Sequence, residues 1–145
     1  MSDPRPLVLL ADDDIEIRRL VRRAISGLDV DILEAQDGEE ALEKVIVEAP
    51  DLVILDVMMP TLTGWEICKY IRSKPHLAET RVVMLTAVGK TVNELTSPLY
   101  GADAYLDKPF DLQELASVVK RLLEELAAEQ DDDDFDAGDD LDDLD

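Results

Sequence analysis

The sequence holds a single cysteine, Cys68, so no intramolecular disulfide can form and nothing calls for an oxidising compartment. No apolar run approaches the ~20 residues that a bilayer-spanning helix needs. The first residues, MSDPRPLVLLADDD, lack the charged-then-apolar layout of a secretion signal, because the apolar stretch ends at once in three aspartates. Bases are scarce: 14 lysines and arginines stand against 35 acids, for a formal net charge of −21. Holding DNA or RNA by its phosphates takes a basic surface, which this composition excludes. The expectation is a soluble cytoplasmic protein with neither a nucleic acid nor a membrane among its partners.

The acids are unevenly placed. Residues 131–145, DDDDFDAGDDLDDLD, carry 10 of the 35 and no base. Self-repulsion and scarce apolar surface predict a disordered tail. Phe135, Leu141 and Leu144 interrupt it in the manner of acidic-hydrophobic interaction segments. Residues 1–130 are expected to form one folded domain, since 145 residues leave little room for a second.

Short apolar runs occur at Leu7–Ala11, Val30–Leu33, Leu52–Leu55, Val82–Leu85 and Ala104–Leu106. Those at 7–11, 52–55 and 82–85 are nearly continuous, as in parallel strands buried on both faces. Helical spacing separates them: Leu20, Val21 and Ala24; Leu42, Val45, Ile46 and Ala49; then Leu112, Leu115, Val119, Leu122 and Leu126. Asp37 with Glu40, Thr63 with Glu66, Thr91 with Glu94, and Asp111 with Glu114 each fit a capping box at a helix start. Gly27 and Gly101 stand where the first and fourth predicted helices should stop. Five strand–helix alternations imply an α/β fold, a doubly wound open parallel sheet with helices on both faces.

In such sheets the site lies beyond the C-terminal ends of the strands. Asp12, Asp13 and Asp14 follow the first apolar run, Asp56 follows the third, Thr86 ends the fourth, and Asp107, Lys108 and Pro109 follow the fifth. Carboxylates meeting at one edge repel unless something positive intervenes. Mg²⁺ fits, being hard, oxygen-seeking and commonly held by a few carboxylates with waters and a phosphate. Lys108 adds a second cation, and Thr86 offers a hydroxyl. A flavin or dinucleotide site is excluded, because its phosphate needs a loop without negative side chains after the first strand. No GxxxxGK[ST] phosphate loop occurs either. Any one of these acids has a plainer reading, Asp14 for instance as a helix start, but their joint placement points to chemistry.

Four blocks, LVLLADDD at 7–14, DLVILDVMMPTLTG at 51–64, VVMLTA at 82–87 and GADAYLDKPF at 101–110, occur in order. Over about residues 5–126 the chain resembles the receiver domain of two-component response regulators. The resemblance implies a flavodoxin-like strand order, 2-1-3-4-5. It implies that Asp56 is the phosphoacceptor, attacking a phosphohistidine of a histidine kinase or phosphotransfer protein to form an acyl phosphate. Asp12 and Asp13 would hold Mg²⁺ together with Asp56 and the backbone carbonyl of Met58. Thr86 and Lys108 would contact the phosphoryl group, and Tyr105 would be the aromatic switch. The Lys108–Pro109 bond is expected to be cis. Three ionised carboxylates balance a divalent ion and a lysine; phosphorylation adds negative charge, draws in the Thr86 hydroxyl and frees space for the Tyr105 ring. The surface so biased comprises the fourth predicted helix, the fifth strand and the last helix.

Met58 and Val88 stand two residues after Asp56 and Thr86, where the family tunes hydrolysis; both are apolar, so a phosphoryl lifetime of minutes or longer is expected. Arg18, Arg19, Arg22 and Arg23 form a basic stripe, read either as a solvated face or as a docking face for an acidic or helical partner. Ser97-Pro98 should kink or end the fourth predicted helix near Thr96. Cys68 and Ile71 read as core, His76 as exposed, and Trp65 as packing or surface contact.

The expected role is a stand-alone receiver, monomeric or dimerising on phosphorylation, whose output is binding of an unidentified downstream protein or onward phosphotransfer. It is expected to assist its own phosphorylation and hydrolysis without being an enzyme proper. Two rivals are a Mg²⁺-dependent phosphatase with an aspartyl nucleophile, which usually carries a second acid where Met58 stands, and a receiver-like scaffold that is never phosphorylated.

Overall fold

The protein is described by a computed structural model over residues 5–86 and 101–144, with side chains as far as Glu129. The elements are β1 (Leu7–Ala11), α1 (Ile15–Ile25), β2 (Asp31–Ala35), α2 (Gly38–Glu48), β3 (Leu52–Asp56), α3 (Gly64–Ser73), a 3-10 turn (Pro75–Leu77), β4 (Arg81–Thr86), β5 (Ala104–Asp107) and a C-terminal helix (Leu112–Leu144). Every strand pair is parallel and the order is β2-β1-β3-β4-β5, the doubly wound α/β arrangement expected from the sequence. The fourth predicted helix, with Thr91, Glu94 and Ser97-Pro98, lies outside the described residues. No helix among the described residues is long and apolar enough to cross a membrane.

The continuous apolar runs are explained by two cores, one on each face of the sheet. Leu9, Val53, Leu55 and Met84 pack with Ala41, Val45, Ile67, Cys68 and Ile71 of α2 and α3. Val8, Leu10, Leu52, Ile54, Val83 and Leu85 pack on the other face with Val21 and Ile25 of α1 and Leu115, Val119 and Leu122 of the C-terminal helix. Alternate residues of one strand thus feed opposite cores, and β3, at the centre, is buried throughout. The edge strand β2 is only partly covered. Each fully buried aliphatic side chain contributes ~1.5–3 kcal/mol against chain entropy.

Helix starts follow the local chemistry. Asp14 accepts from the Glu16 N–H at 2.8 Å, Asp37 from the Glu40 N–H at 2.8 Å, and Asp111 from the Gln113 N–H at 2.8 Å. Thr63 and Glu66 form a complete capping box. The Glu40 carboxylate accepts from the Gln36 N–H instead of the Asp37 N–H, so that box closes one residue early. Gly101 takes φ +72, which a residue without Cβ adopts at little cost. Gly27 lies just past α1, which stops at Ile25 with Ser26 as its cap.

Several boundaries differ from the sequence reading. Asp56 and Asp107 are the last residues of their strands, because they still pair, Asp56 with Leu85 and Asp107 with Thr86. Leu20 and Ile46 are exposed; the inward stripes run through Val21 and Ile25 and through Ala41 and Val45, and a neighbour one residue away is turned by ~100°. The C-terminal helix is continuous from Leu112 to Leu144. A helix already nucleated on a packed face extends by one hydrogen bond per residue.

Candidate functional site

Parallel register brings the strand ends into line. Ala11 pairs with Leu55, Asp56 with Leu85, and Thr86 with Asp107. Residues 12, 56, 86 and 108 therefore meet at one edge of the sheet. Asp12, Asp56 and Thr86 are buried there, while Asp13 is exposed. Carboxylate oxygens of Asp12, Asp13 and Asp56 all lie within 4.8 Å of one another.

Lys108 comes from the far side. Its Nζ is 2.9 Å from Asp12 Oδ2 and 3.2 Å from Asp56 Oδ1. Its backbone N–H donates to the Thr86 carbonyl at 2.7 Å, and the Lys108–Pro109 peptide bond is cis. The Met58 N–H donates to Asp56 Oδ1 at 3.3 Å. Asp12 is fixed at three points: its N–H donates to the Ala35 carbonyl at 3.1 Å, its Oδ1 accepts from the Asp14 N–H at 2.9 Å, and its carbonyl accepts from Arg18 Nη1 at 2.7 Å. On α3, Gly64 donates to the Val57 carbonyl at 2.9 Å. A Cβ there would lie 2.6 Å from the Asp56 carbonyl oxygen, so only glycine lets α3 start this close to β3.

The charges set the chemistry. Burial, and then repulsion from Asp12, push the Asp56 carboxyl up to about 6, against the attraction of Lys108 and the Met58 N–H. Burial works to lower Lys108, but the carboxylates of Asp12 and Asp56 outweigh it and hold the ammonium above its usual range. One lysine does not neutralise three carboxylates. This all-oxygen set, with two members buried, fits a hard divalent cation such as Mg²⁺.

Of the residues singled out from sequence, Asp12, Asp13, Asp56 and Lys108 are brought together, and Thr86 is tied to Lys108 through the backbone. Met58 sits at the rim with its side chain exposed. Tyr105 is half-buried on the α2–α3 side of the sheet, its ring centroid 5.9 Å from that of Trp65. Cys68 is fully buried, which pushes its thiol up to about 11 and leaves it inert. His76 is exposed.

Sequence reading missed three supports. Arg18 and Arg22 are not a free basic stripe: both grip Glu34 of β2, at 3.0 and 2.7 Å, and Arg18 also holds the Asp12 carbonyl. The signal was an acid, Glu34, near the end of β2. Arg72 donates to the carbonyls of Gly101 and Thr80 and to Asp103, at 2.8, 2.7 and 2.8 Å. Gly64 was not recognised as a position of close approach.

Comparison with known proteins gives a consistent picture. A family model described as the response regulator receiver domain matches residues 8–120. A probable transcriptional regulator of Cyanophora paradoxa, ycf27, is 40% identical over 116 residues, which is 80% of this chain and 47% of that protein. The alkaline phosphatase synthesis transcriptional regulatory protein PhoP of Bacillus subtilis is 38% identical over 116 residues, 80% of this chain and 48% of that protein. The chain spans about half the length of these curated relatives. The chemotaxis response regulator CheY4 of Vibrio cholerae superposes with a TM-score of 0.75 at 32% identity, covering 82% of this chain and 99% of that one. The receiver domain of Francisella response regulator 1452 does so with a TM-score of 0.76 at 34% identity, covering 83% and 98%. Its sheet order, its acidic edge and the matched family model together place this chain in the response regulator receiver family of two-component systems.

Proposed function

We propose that residues 1–130 form a phosphoacceptor domain in which Asp56 takes a phosphoryl group from a phosphohistidine of a histidine kinase or phosphotransfer protein, with 131–145 as an acidic appendage. The observation that carries this is the contact of Lys108 with both Asp12 and Asp56 beside the third carboxylate, Asp13. A carboxylate oxygen of Asp56 attacks phosphorus, the P–N bond to the imidazole breaks, and its electron pair stays on nitrogen. With its pKa near 6, Asp56 is mostly ionised at neutral pH and so available as the nucleophile. Lys108 stays protonated and meets the charge on the phosphoryl oxygens. The Thr86 hydroxyl, buried at the end of β4, contacts the same oxygens. Asp12, Asp13, Asp56 and the Met58 carbonyl would hold Mg²⁺, which would supply further positive charge at the site.

The acyl phosphate carries more negative charge than the carboxylate it replaces. It draws Lys108 and Thr86 toward itself and shifts Tyr105, changing the face made by β5 and the C-terminal helix. That face binds a downstream protein, or the phosphoryl group moves on to a second histidine. The relatives named as transcriptional regulators are about twice the length matched here, so their whole-protein roles are not carried over.

The test is incubation with acetyl phosphate and Mg²⁺ followed by intact mass, for wild type and Asp56→Asn. Wild type gains one phosphoryl mass and the variant none. No gain in wild type, or the same gain in the variant, overturns the proposal.

A further inference from the structure

We propose that Trp65 is a positioning residue for Tyr105. The indole holds the phenol ring in place while Lys108 pairs with the free Asp56 carboxylate, so the switch reaches α3 as well as β5. This rests on the phosphoacceptor reading above and concerns the regulation of that same site.

A paired strand and an anchored helix turn meet in this contact. Tyr105 pairs in register with Met84, two residues before Thr86, and lies three residues before Lys108 on the strand that delivers it. Trp65 follows Gly64, whose N–H is bonded to the Val57 carbonyl and where a Cβ would lie 2.6 Å from the Asp56 carbonyl oxygen. The Thr63–Glu66 capping box fixes the same turn. The indole therefore belongs to the acceptor's side of the site and the phenol to the cation's side. Their ring centroids are 5.9 Å apart with planes tilted by 39°, inside the range where aromatic pairs attract beyond their buried area. Both rings are half-buried, so either can change its exposure without unfolding the core.

A contact made in one position of a mobile ring and lost in the other biases the equilibrium by its own strength. When Lys108 turns from the carboxylate to phosphoryl oxygens, the Tyr105 ring leaves Trp65. Trp65 then stabilises the arrangement with the free carboxylate, and its removal favours the phosphorylated one.

The probe is fluoroberyllate, a mimic of the phosphoryl group, added with Mg²⁺. Trp65 is the chain's one tryptophan, so its emission reports this contact directly. Wild-type emission changes on saturation, and Tyr105→Leu loses most of that change while still showing bound fluoroberyllate by fluorine NMR. Trp65→Ala half-saturates at a concentration lower by about two- to tenfold, whereas Trp65→Phe stays within about twofold of wild type. A full emission change in Tyr105→Leu overturns the inference, as does unchanged or weaker binding in Trp65→Ala. Bound fluoroberyllate in wild type without any emission change sinks this inference alone. Absence of a bound signal in wild type removes the phosphoacceptor reading, and this inference with it.

Discussion

The ammonium of Lys108 rests 2.9 Å from the carboxylate of Asp12, a residue 96 positions earlier in the chain. The same ammonium reaches Asp56 at 3.2 Å. One cation thus stands between two buried acids and holds the ends of β1, β3 and β5 in a common electrostatic frame. The pair is 19% and 3% exposed at its side chains, so water screens it little.

Removing that cation gives the first prediction. In Lys108→Met the charge and the hydrogen bond of Lys108, two of the influences that lower Asp56, vanish, while burial, Asp12 and the Met58 N–H remain. The Asp56 carboxyl then titrates above about 6, as read by carbon NMR of the labelled side chain in Mg²⁺-free buffer. Phosphorylation by acetyl phosphate slows by about 10²–10³-fold, the usual loss when one preorganised charge stabiliser is removed. A carboxyl that titrates at or below 6 contradicts the charge arrangement.

The second prediction concerns pH and stability. The folded-state pKa of Asp56 is raised from 3.8 to about 6, so between these values the folded chain binds more protons than the unfolded one. Its contribution to stability falls as pH rises through that window and stays low above it. Asp56→Asn removes the penalty, so at pH 8 without Mg²⁺ the variant is more stable than wild type by about 1–3 kcal/mol in urea unfolding. The difference narrows toward pH 4 and on saturation with Mg²⁺. A variant no more stable than wild type at pH 8 without the metal contradicts it.

Arg72 supplies the third. Its guanidinium joins α3 to the carbonyls of Thr80 and Gly101 and to Asp103, which also accepts from the Val82 N–H. Arg72→Ala removes these three hydrogen bonds and costs about 1–3 kcal/mol in chemical denaturation. Arg72→Lys recovers only part, since a single ammonium cannot span the three directions of a guanidinium. Full recovery by lysine would show that charge alone matters here.

Met58 gives the fourth. Its exposed thioether offers no group to orient an attacking water at Asp56, and Val88 at the other family tuning position is apolar too. The aspartyl phosphate is expected to last minutes or longer at neutral pH, measured by the decay of the phosphorylated mass after donor removal. Decay within seconds contradicts this.

Much of the fold was legible because its signals are local. Continuous apolar runs marked strands covered on both faces, and Asp14, Asp37, Thr63 and Asp111 marked helix starts through side chains that bond their own first turn. The site was legible because parallel sheets gather strand ends, so Asp12, Asp13, Asp56, Thr86 and Lys108 needed only their positions to be associated. What escaped depends on pairings between distant elements. No local rule says that Arg18 and Arg22 turn back to Glu34, or that Arg72 collects acceptors from two later segments. Exposure of Leu20 and Ile46 was missed for a related reason, since the side of a helix that faces a sheet is set by packing to within less than one residue's turn. Gly64 needed knowledge of how near α3 comes to the Asp56 carbonyl.

The central claim is that one carboxylate, that of Asp56, accepts the phosphoryl group. Borohydride reduction of the phosphorylated protein converts an aspartyl phosphate to homoserine, and peptide mass spectrometry then reads its position. The account predicts homoserine at residue 56, dependent on Mg²⁺ and absent from mock-phosphorylated protein. Homoserine at residue 12 or 13, or none in protein that carries the phosphoryl mass, would contradict it.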